Sequence, residues 1–233
     1  MGLLSILFFV PAFAIEYDEE TIESVAIIGS KEDARNVAGS AAVISNEDLQ
    51  KLVDTDMHKI LSVVPGVFFR TEDGHGLRPN ISIRGTSLDR SAKITIMEDG
   101  VLVAPAPYTS ASAYYFPTSG RIHAVEVLKG PSAITQGPST IGGALNLVST
   151  PIPTDGNGKF VQEFGDNGMM RTHAVAGGDN GRFGAMVEVH EHSTDGFDSI
   201  ANVGGDTGFD KSDLLAKFRY TSGDHELTLK ILD

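Results

Sequence analysis

The chain has no cysteine and no tryptophan among its 233 residues. Without cysteine, a disulfide framework, a thiolate metal site and a cysteine nucleophile are all excluded. Basic residues are also few, because 18 Lys and Arg stand against 31 Asp and Glu, which gives a net charge of −13. Nucleic-acid binding needs clustered basic side chains, so this balance argues against a nucleic-acid partner. The lack of tryptophan argues mildly against a membrane protein, because interfacial belts favour Trp and Tyr.

Long apolar runs are also missing, since no segment reaches the length of about 20 apolar residues that a transmembrane helix needs. A shorter apolar run from Leu3 to Val10 lies at the N-terminus, and Ala12 and Ala14 follow it. This arrangement predicts a signal peptide over residues 1–14, although no Lys or Arg precedes the run. A buried N-terminal helix or strand is the alternative.

No constellation of catalytic residues stands out. Serines, histidines and aspartates are plentiful, but their spacing does not show that any three meet as a triad. His190 and His192 fall on one face of a predicted strand, and two ligands without a third do not form a catalytic zinc site. We therefore predict no enzymatic activity, no metal site and no cofactor.

Residues 37–150 combine helical and strand patterns without repeats. Ser45 and Asp48 predict a capped helix start, and apolar residues at helical spacing from Met57 to Val64 predict a second helix. Asp99-Gly100 between two apolar runs predicts a hairpin. Before this region we expect a strand over residues 24–29 and a polar linker to about Val37. The fold predicted for residues 37–150 is α+β, with a small mixed sheet and short helices.

From residue 151 onward, apolar and polar residues alternate strictly. The alternation is clear over residues 183–192, 214–220 and 226–231. Segments of about ten residues with a period of two fit a transmembrane β-barrel, and they fit a half-buried soluble sheet equally well. The signal peptide favours the barrel. Because a barrel that holds a domain has about 22 strands, we predict that residues 151–233 are the first antiparallel strands of a truncated transmembrane β-barrel.

Five short motifs follow one another between residues 60 and 146. They are Leu61 with Pro65-Gly66-Val67, Ile83-Arg84-Gly85, Glu98-Asp99-Gly100-Val101, Glu126-Val127-Leu128-Lys129-Gly130-Pro131, and Gly137 with Gly142-Gly143-Ala144-Leu145-Asn146. In this order they resemble the plug domains of TonB-dependent receptors. Lys129 stands where arginine is commoner in the family, and Gln136 replaces the usual tyrosine before Gly137.

The resemblance implies an uptake protein of the Gram-negative outer membrane, with outer-membrane lipid around its barrel and a plug that faces the periplasm. It implies TonB as the periplasmic partner, which binds a short N-terminal segment by strand addition. Within residues 15–36, the candidate TonB-binding segment is Glu20, Thr21, Ile22, Glu23, Ser24, Val25 and Ala26. Residues 85–115 are closest to ferric-citrate-type iron receptors, which implies a ferric siderophore or ferric-citrate-like chelate as the ligand.

The same resemblance gives roles to two residues, Arg84 and Lys129. Arg84 matches the plug arginine that pairs with barrel glutamates, and Lys129 is a second plug–barrel contact. Arg90, Tyr108, Tyr114 and Tyr115 lie on adjacent loops and are candidate ligand-binding residues, since arginine grips carboxylates in a bidentate manner. Alternatively, these aromatic side chains pack against their own loop or against the barrel wall and bind no ligand. Two other functions stay open, an exported soluble binding or signalling module and an exported hydrolase that uses His190 and His192.

Overall fold

The computed structural model describes residues 25–52, 56–70, 72–103, 115–198 and 206–233. These residues belong to two compact units, one running to Pro151 and the other beginning at Ile152. Among them, no helix has the length and apolar character needed to cross a membrane. Each unit contains its own β-sheet.

The first unit is an α+β fold with short helices, as predicted. Its elements in chain order are α1 (Asp33–Asn36), β1 (Ser40–Ile44), α2 (Asn46–Leu52), α3 (Met57–Ser62), β2 (Val67–Arg70), β3 (Asn80–Ile83), β4 (Ile94–Glu98), β5 (Val101–Leu102), β6 (Ile122–Lys129) and β7 (Gly143–Ser149). Five strands form a mixed sheet in the order β1-β6-β7-β4-β5, in which only β4 and β7 are parallel. Strands β2 and β3 form a separate antiparallel pair.

Apolar side chains cover both faces of the mixed sheet. Every residue of β6 and β7 is buried, and alternate residues of a strand point to opposite faces. On one face lies the main core cluster, to which α3 contributes Met57 and Leu61. On the other face, Ile27 and Ile28 pack against a smaller cluster that contains Leu128. Each fully buried aliphatic side chain contributes roughly 1.5–3 kcal/mol, so these two layers hold the sheet in place.

Local sequence signals account for the helix start and the hairpin. The Ser45 hydroxyl donates to the Asp48 carboxylate at 2.8 Å, and the Ser45 backbone N–H donates to the same carboxylate at 3.0 Å, at the start of α2. Asp99 and Gly100 both have positive φ, 51° and 75°, and they join β4 to β5 as a tight turn. The capped helix and the hairpin are therefore confirmed.

The N-terminal part of this unit differs in two places from what the sequence predicted. Residues 25–29 form no strand, because three of their backbone N–H groups bind the side chain of Glu126 instead of a neighbouring strand. The predicted polar linker contains the short helix α1. At the start of this helix the Ser30 hydroxyl donates to the Asp33 carboxylate, and the Asp33 N–H donates to the Ser30 hydroxyl. Both departures come from side chains that bind backbone groups, which a pattern of apolar residues does not reveal.

The second unit is an antiparallel sheet of five strands. They are β8 (Asn157–Phe164), β9 (Met170–Asp179), β10 (Phe183–Thr194), β11 (Phe209–Ser222) and β12 (His225–Leu232), and each pairs with its neighbours along the chain. The predicted antiparallel strands are confirmed. In the described residues the sheet is open, with β8 and β12 as its edges.

The two faces of this sheet differ from those of a half-buried soluble sheet. Large apolar side chains are exposed on one face, namely Phe160, Phe164, Phe183, Val187, Leu214, Phe218, Leu227, Leu229 and Ile231. The other face buries the charged and polar side chains of Glu188, His190, Asp213 and Lys217 beside the apolar side chains of Val175, Met186 and Leu215. A soluble half-buried sheet places apolar residues inside and polar residues outside.

Candidate functional site

Three of the five motifs meet at one corner of the first unit. The Lys129 ammonium group donates to the carbonyl oxygen of Pro65 at 2.9 Å, and the Arg84 backbone N–H donates to that of Gly66 at 2.8 Å. The Arg84 guanidinium lies over Gly130, where an added Cβ would come within 2.8 Å of Arg84 Nη1. Glycine is required at this position also because φ is +100° there.

Arg84 and Lys129 bring two positive charges together at this corner. Arg84 is exposed, whereas Lys129 is buried at the end of β6. Burial and then the charge of Arg84 lower the pKa of the Lys129 ammonium group. Within the part of the chain that the structure describes, neither residue forms an ion pair with a carboxylate. The two predicted plug–barrel residues therefore form one cationic site that lacks a described counter-charge.

The polar residues of the other motifs meet around Glu126 in the centre of the sheet. Glu126 and Asn146 are register partners on β6 and β7, and the Asn146 side-chain amide donates to the Glu126 carboxylate at 2.8 Å. The Asn146 side-chain oxygen accepts from the Gly100 N–H at 2.9 Å, in the β4–β5 turn. Asp99 of the same turn accepts hydrogen bonds from the backbone and hydroxyl of Ser149. This network ties three strands together.

Residues 27–29 complete the network. The Ile27 N–H donates to Glu126 Oε2 at 2.8 Å, and the N–H groups of Ile28 and Gly29 donate to Oε1 at 2.9 and 2.8 Å. The carboxylate thus accepts from three consecutive backbone amides and from Asn146, and all four bonds are charge-assisted. The start of the described chain is fixed to the middle of the sheet.

The predicted TonB-binding segment lies only partly within the described residues. Residues 20–24 fall outside them, whereas Val25 and Ala26 are described. The carbonyl oxygen of Val25 accepts a hydrogen bond from the Asn146 amide at 3.2 Å. The C-terminal end of the predicted segment therefore contacts the network around Glu126.

Of the four predicted ligand-binding residues, the structure describes Arg90 and Tyr115. Tyr108 and Tyr114 lie outside the described residues. Arg90 is exposed on a tight turn with φ of 47°, and its backbone N–H donates to the Asn80 side chain at 2.8 Å. The Tyr115 hydroxyl accepts from Arg121 Nη2 at 2.8 Å. The ring of Tyr115 is thus positioned by a buried arginine, and its ligand-binding role stays a prediction.

Arg121 was not singled out from the sequence, and Glu98, Glu126 and Asn146 were named as motif residues without a role of their own. Arg121 is 1% exposed and pairs with both carboxylate oxygens of Glu98 at the end of β4. Glu126 and Asn146 each stand between two apolar residues of a fully buried strand. Buried charges are paired or hydrogen-bonded in stable proteins. A polar residue within an apolar strand could therefore have indicated a buried polar network.

The histidines of the second unit do not form a metal site with other residues that the structure describes. His190 and His192 share the polar face of β10, with ring centroids 6.5 Å apart, and His173 Nε2 lies 2.6 Å from Glu188 Oε1. Among the described residues, no group of three His, Cys, Asp or Glu side chains is arranged to hold a metal ion.

The fold and its motifs agree with a known family. The family model of the TonB-dependent Receptor Plug Domain matches residues 33–144. Residues 33–144 are a plug domain of the TonB-dependent receptor family. The matched range contains β1 to β6 and the first residues of β7, so the mixed sheet is the sheet of this plug domain.

Individual relatives of this chain include the vitamin B12 transporter BtuB of Photobacterium profundum, 24% identical over 220 residues, or 92% of this chain and 36% of the relative. The crystal structure of the unliganded ferric citrate transporter FecA has the same fold, with a TM-score of 0.71, 23% identity and coverage of 95% of this chain and 34% of FecA. The siderophore receptor PirA of Acinetobacter baumannii matches with a TM-score of 0.65, 21% identity and coverage of 87% and 32%.

The chain spans about a third of the length of these relatives. Each of them is named as a transporter or a receptor, in agreement with the predicted lack of enzymatic activity.

Proposed function

We propose that this receptor chain is part of an outer-membrane transporter that imports a ferric siderophore or ferric-citrate-like chelate and is energised through TonB. In this proposal residues 1–14 are a signal peptide and residues 15–36 contain the TonB-binding segment and a linker. Residues 37–150 form the plug, which faces the periplasm, and residues 151–233 are barrel strands. The observation that carries the proposal is the plug fold followed by a sheet that exposes its apolar face.

The exposed apolar face of the second unit's sheet supports a location in the membrane. Transmembrane β-barrels have apolar side chains toward lipid and polar side chains toward the lumen, and β8 to β12 likewise expose apolar side chains on one face and carry charged side chains on the other. An exported soluble module would expose the polar face instead. The cationic site of Arg84 and Lys129 supports a plug that contacts acidic residues of a barrel wall, because adjacent like charges are stabilised by an opposing carboxylate.

The TonB interaction is tested by substitution within the predicted segment. Strand addition uses main-chain hydrogen bonds, so Ile22→Pro removes one donor and fixes φ, whereas Ile22→Ala keeps the backbone intact. We expect the chain with Ile22→Pro to lose binding to the C-terminal domain of TonB in calorimetry, and the chain with Ile22→Ala to keep most of it. Undiminished binding by the proline variant would contradict strand addition.

The ligand class is tested with two probes. Relatives are named for ferric citrate and for vitamin B12, so the chain is titrated with ferric citrate and, separately, with cyanocobalamin. We expect a change in tyrosine fluorescence with ferric citrate, and a weaker change in the Arg90→Gln variant, because arginine binds carboxylates through paired hydrogen bonds. A response to cyanocobalamin alone, or an Arg90→Gln variant that responds like the parent, would contradict the proposed ligand site.

A further inference from the structure

The binding of residues 27–29 to Glu126 has a geometric consequence for the N-terminal segment. In an extended strand, successive N–H groups point in opposite directions, because the backbone alternates along its length. Here three successive N–H groups reach the two oxygens of one carboxylate, at 2.8 to 2.9 Å. Residues 27–29 are therefore held in a non-extended conformation of the kind that binds anions through successive amides.

The carboxylate is built into the centre of the plug sheet. Glu126 is 1% exposed and Asn146 is fully buried. Both hydrogens of the Asn146 amide are used, one on Glu126 and one on the carbonyl oxygen of Val25, while its oxygen accepts from Gly100. The orientation of the amide follows from these partners, because a flipped amide would place its oxygen against two acceptors.

We propose that Glu126 and Asn146 are positioning residues that anchor residues 25–29 and thereby limit how far strand addition by TonB extends along the chain. This inference rests on the proposed function, since it assigns the end of the TonB-binding segment. While the anchor is formed, the Val25 carbonyl and the N–H groups of residues 27–29 are already bound and do not pair with an added strand. Release of the anchor makes these groups available and lengthens the segment.

A glutamate at position 126 suits the anchoring of residues 25–29 better than a glutamine would. A carboxylate accepts hydrogen bonds only, and four donors converge on Glu126. In Glu126→Gln, the NH2 group of the new side chain would face at least one of these donors. The anchor should therefore open, while the apolar neighbours of residue 126 on β6 keep their packing.

Hydrogen exchange on the whole chain in detergent micelles tests the anchor without TonB. We expect the amides of residues 27–29 to exchange about tenfold faster or more in Glu126→Gln than in the parent, because bonds to charged acceptors are among the stronger ones. Glu47→Gln is the matched control, since Glu47 is exposed and pairs with Lys51 on the surface of α2. Equal exchange in the parent and Glu126→Gln would overturn the proposal.

A second pair of variants removes a donor and leaves the buried carboxylate intact. Ile28→Pro deletes the N–H that binds Glu126 Oε1, and Ile28→Ala loses the side chain but keeps this donor. If Glu126→Gln disturbs the exchange of β6 and β7 as well, this pair decides the question. Faster exchange of Ile27 and Gly29 in Ile28→Pro than in Ile28→Ala supports the anchor, and equal exchange rejects it.

The same measurement with the C-terminal domain of TonB tests the limit on strand addition. We expect TonB to leave the exchange of residues 27–29 unchanged in the parent and to slow it in Glu126→Gln, where the segment is free to extend. An equal footprint of TonB in both chains would reject the limit. If TonB binds neither chain, the proposed function fails, whereas the exchange rates without TonB still decide whether the anchor exists.

Discussion

The Asn146 side-chain amide donates to the Glu126 carboxylate at 2.8 Å, between register partners on the two central strands of the plug. The same amide group binds Val25 on one side and Gly100 on the other. One buried side chain therefore joins the N-terminal segment, the β4–β5 turn and the sheet. Since a partly satisfied buried network is costly, changes to this pair should affect stability as well as TonB binding.

We predict that Asn146→Asp destabilises the chain by about 2–4 kcal/mol, because it places a second carboxylate against Glu126 and removes two donors from a buried site. The measurement is the urea midpoint followed by circular dichroism in detergent micelles. Asn36→Asp makes the same chemical change at an exposed position and should cost less than about 0.5 kcal/mol. Similar losses for the two variants would contradict the role given to Asn146.

The buried pair of Arg121 and Glu98 makes a separate prediction. Arg121→Leu leaves the Glu98 carboxylate buried without its main counter-charge, and should cost about 3–5 kcal/mol in unfolding free energy. The double variant with Glu98→Leu should lose less than the single variant, because no uncompensated charge remains. A double variant that is less stable than Arg121→Leu alone would show that the pair contributes in another way.

The Asp48 carboxylate gives a pH dependence with a definite sign. Hydrogen bonds from Lys31 and Ser45 lower its pKa from 3.8 to about 2. Its contribution to stability is present above the unfolded value of 3.8, and it is lost as the pH falls through about 2. We expect the stability difference between the parent and Asp48→Asn to shrink as the pH is lowered from 6 toward 2. A difference that is constant over this range would contradict the assignment.

The exposed apolar face of the second unit should bind lipid. Leu229 is 54% exposed on this face, and an arginine there would cost about 2–4 kcal/mol at the middle of a bilayer. We expect Leu229→Arg to reduce the fraction of chain that floats with lipid vesicles in a density gradient. Lys230→Arg places the same side chain on the opposite face and should float like the parent. Equal flotation of all three, or none by the parent, would support a soluble module instead.

Several parts of the fold could be predicted from local patterns. The capped start of α2, the Asp99-Gly100 hairpin and the apolar face of α3 depend on residues close together in the chain, so their signals are contained in short segments. The short helix α1 inside the predicted polar linker was missed, because its start depends on a side-chain hydrogen bond between Ser30 and Asp33 that a pattern of apolar residues does not reveal. The strand expected over residues 24–29 was also wrong, because its amides bind a residue almost 100 positions away.

The sequence by itself determined the family, the order of the plug motifs and the alternation from residue 151, since these are properties of neighbouring residues and their spacing. The tertiary structure alone decided what the motifs do together. It brought Pro65, Arg84 and Lys129 to one cationic corner and placed Glu126 opposite Asn146. It also showed that the apolar face of the alternating strands is the exposed one. A period of two predicts an apolar face and a polar face, but not which of them is buried.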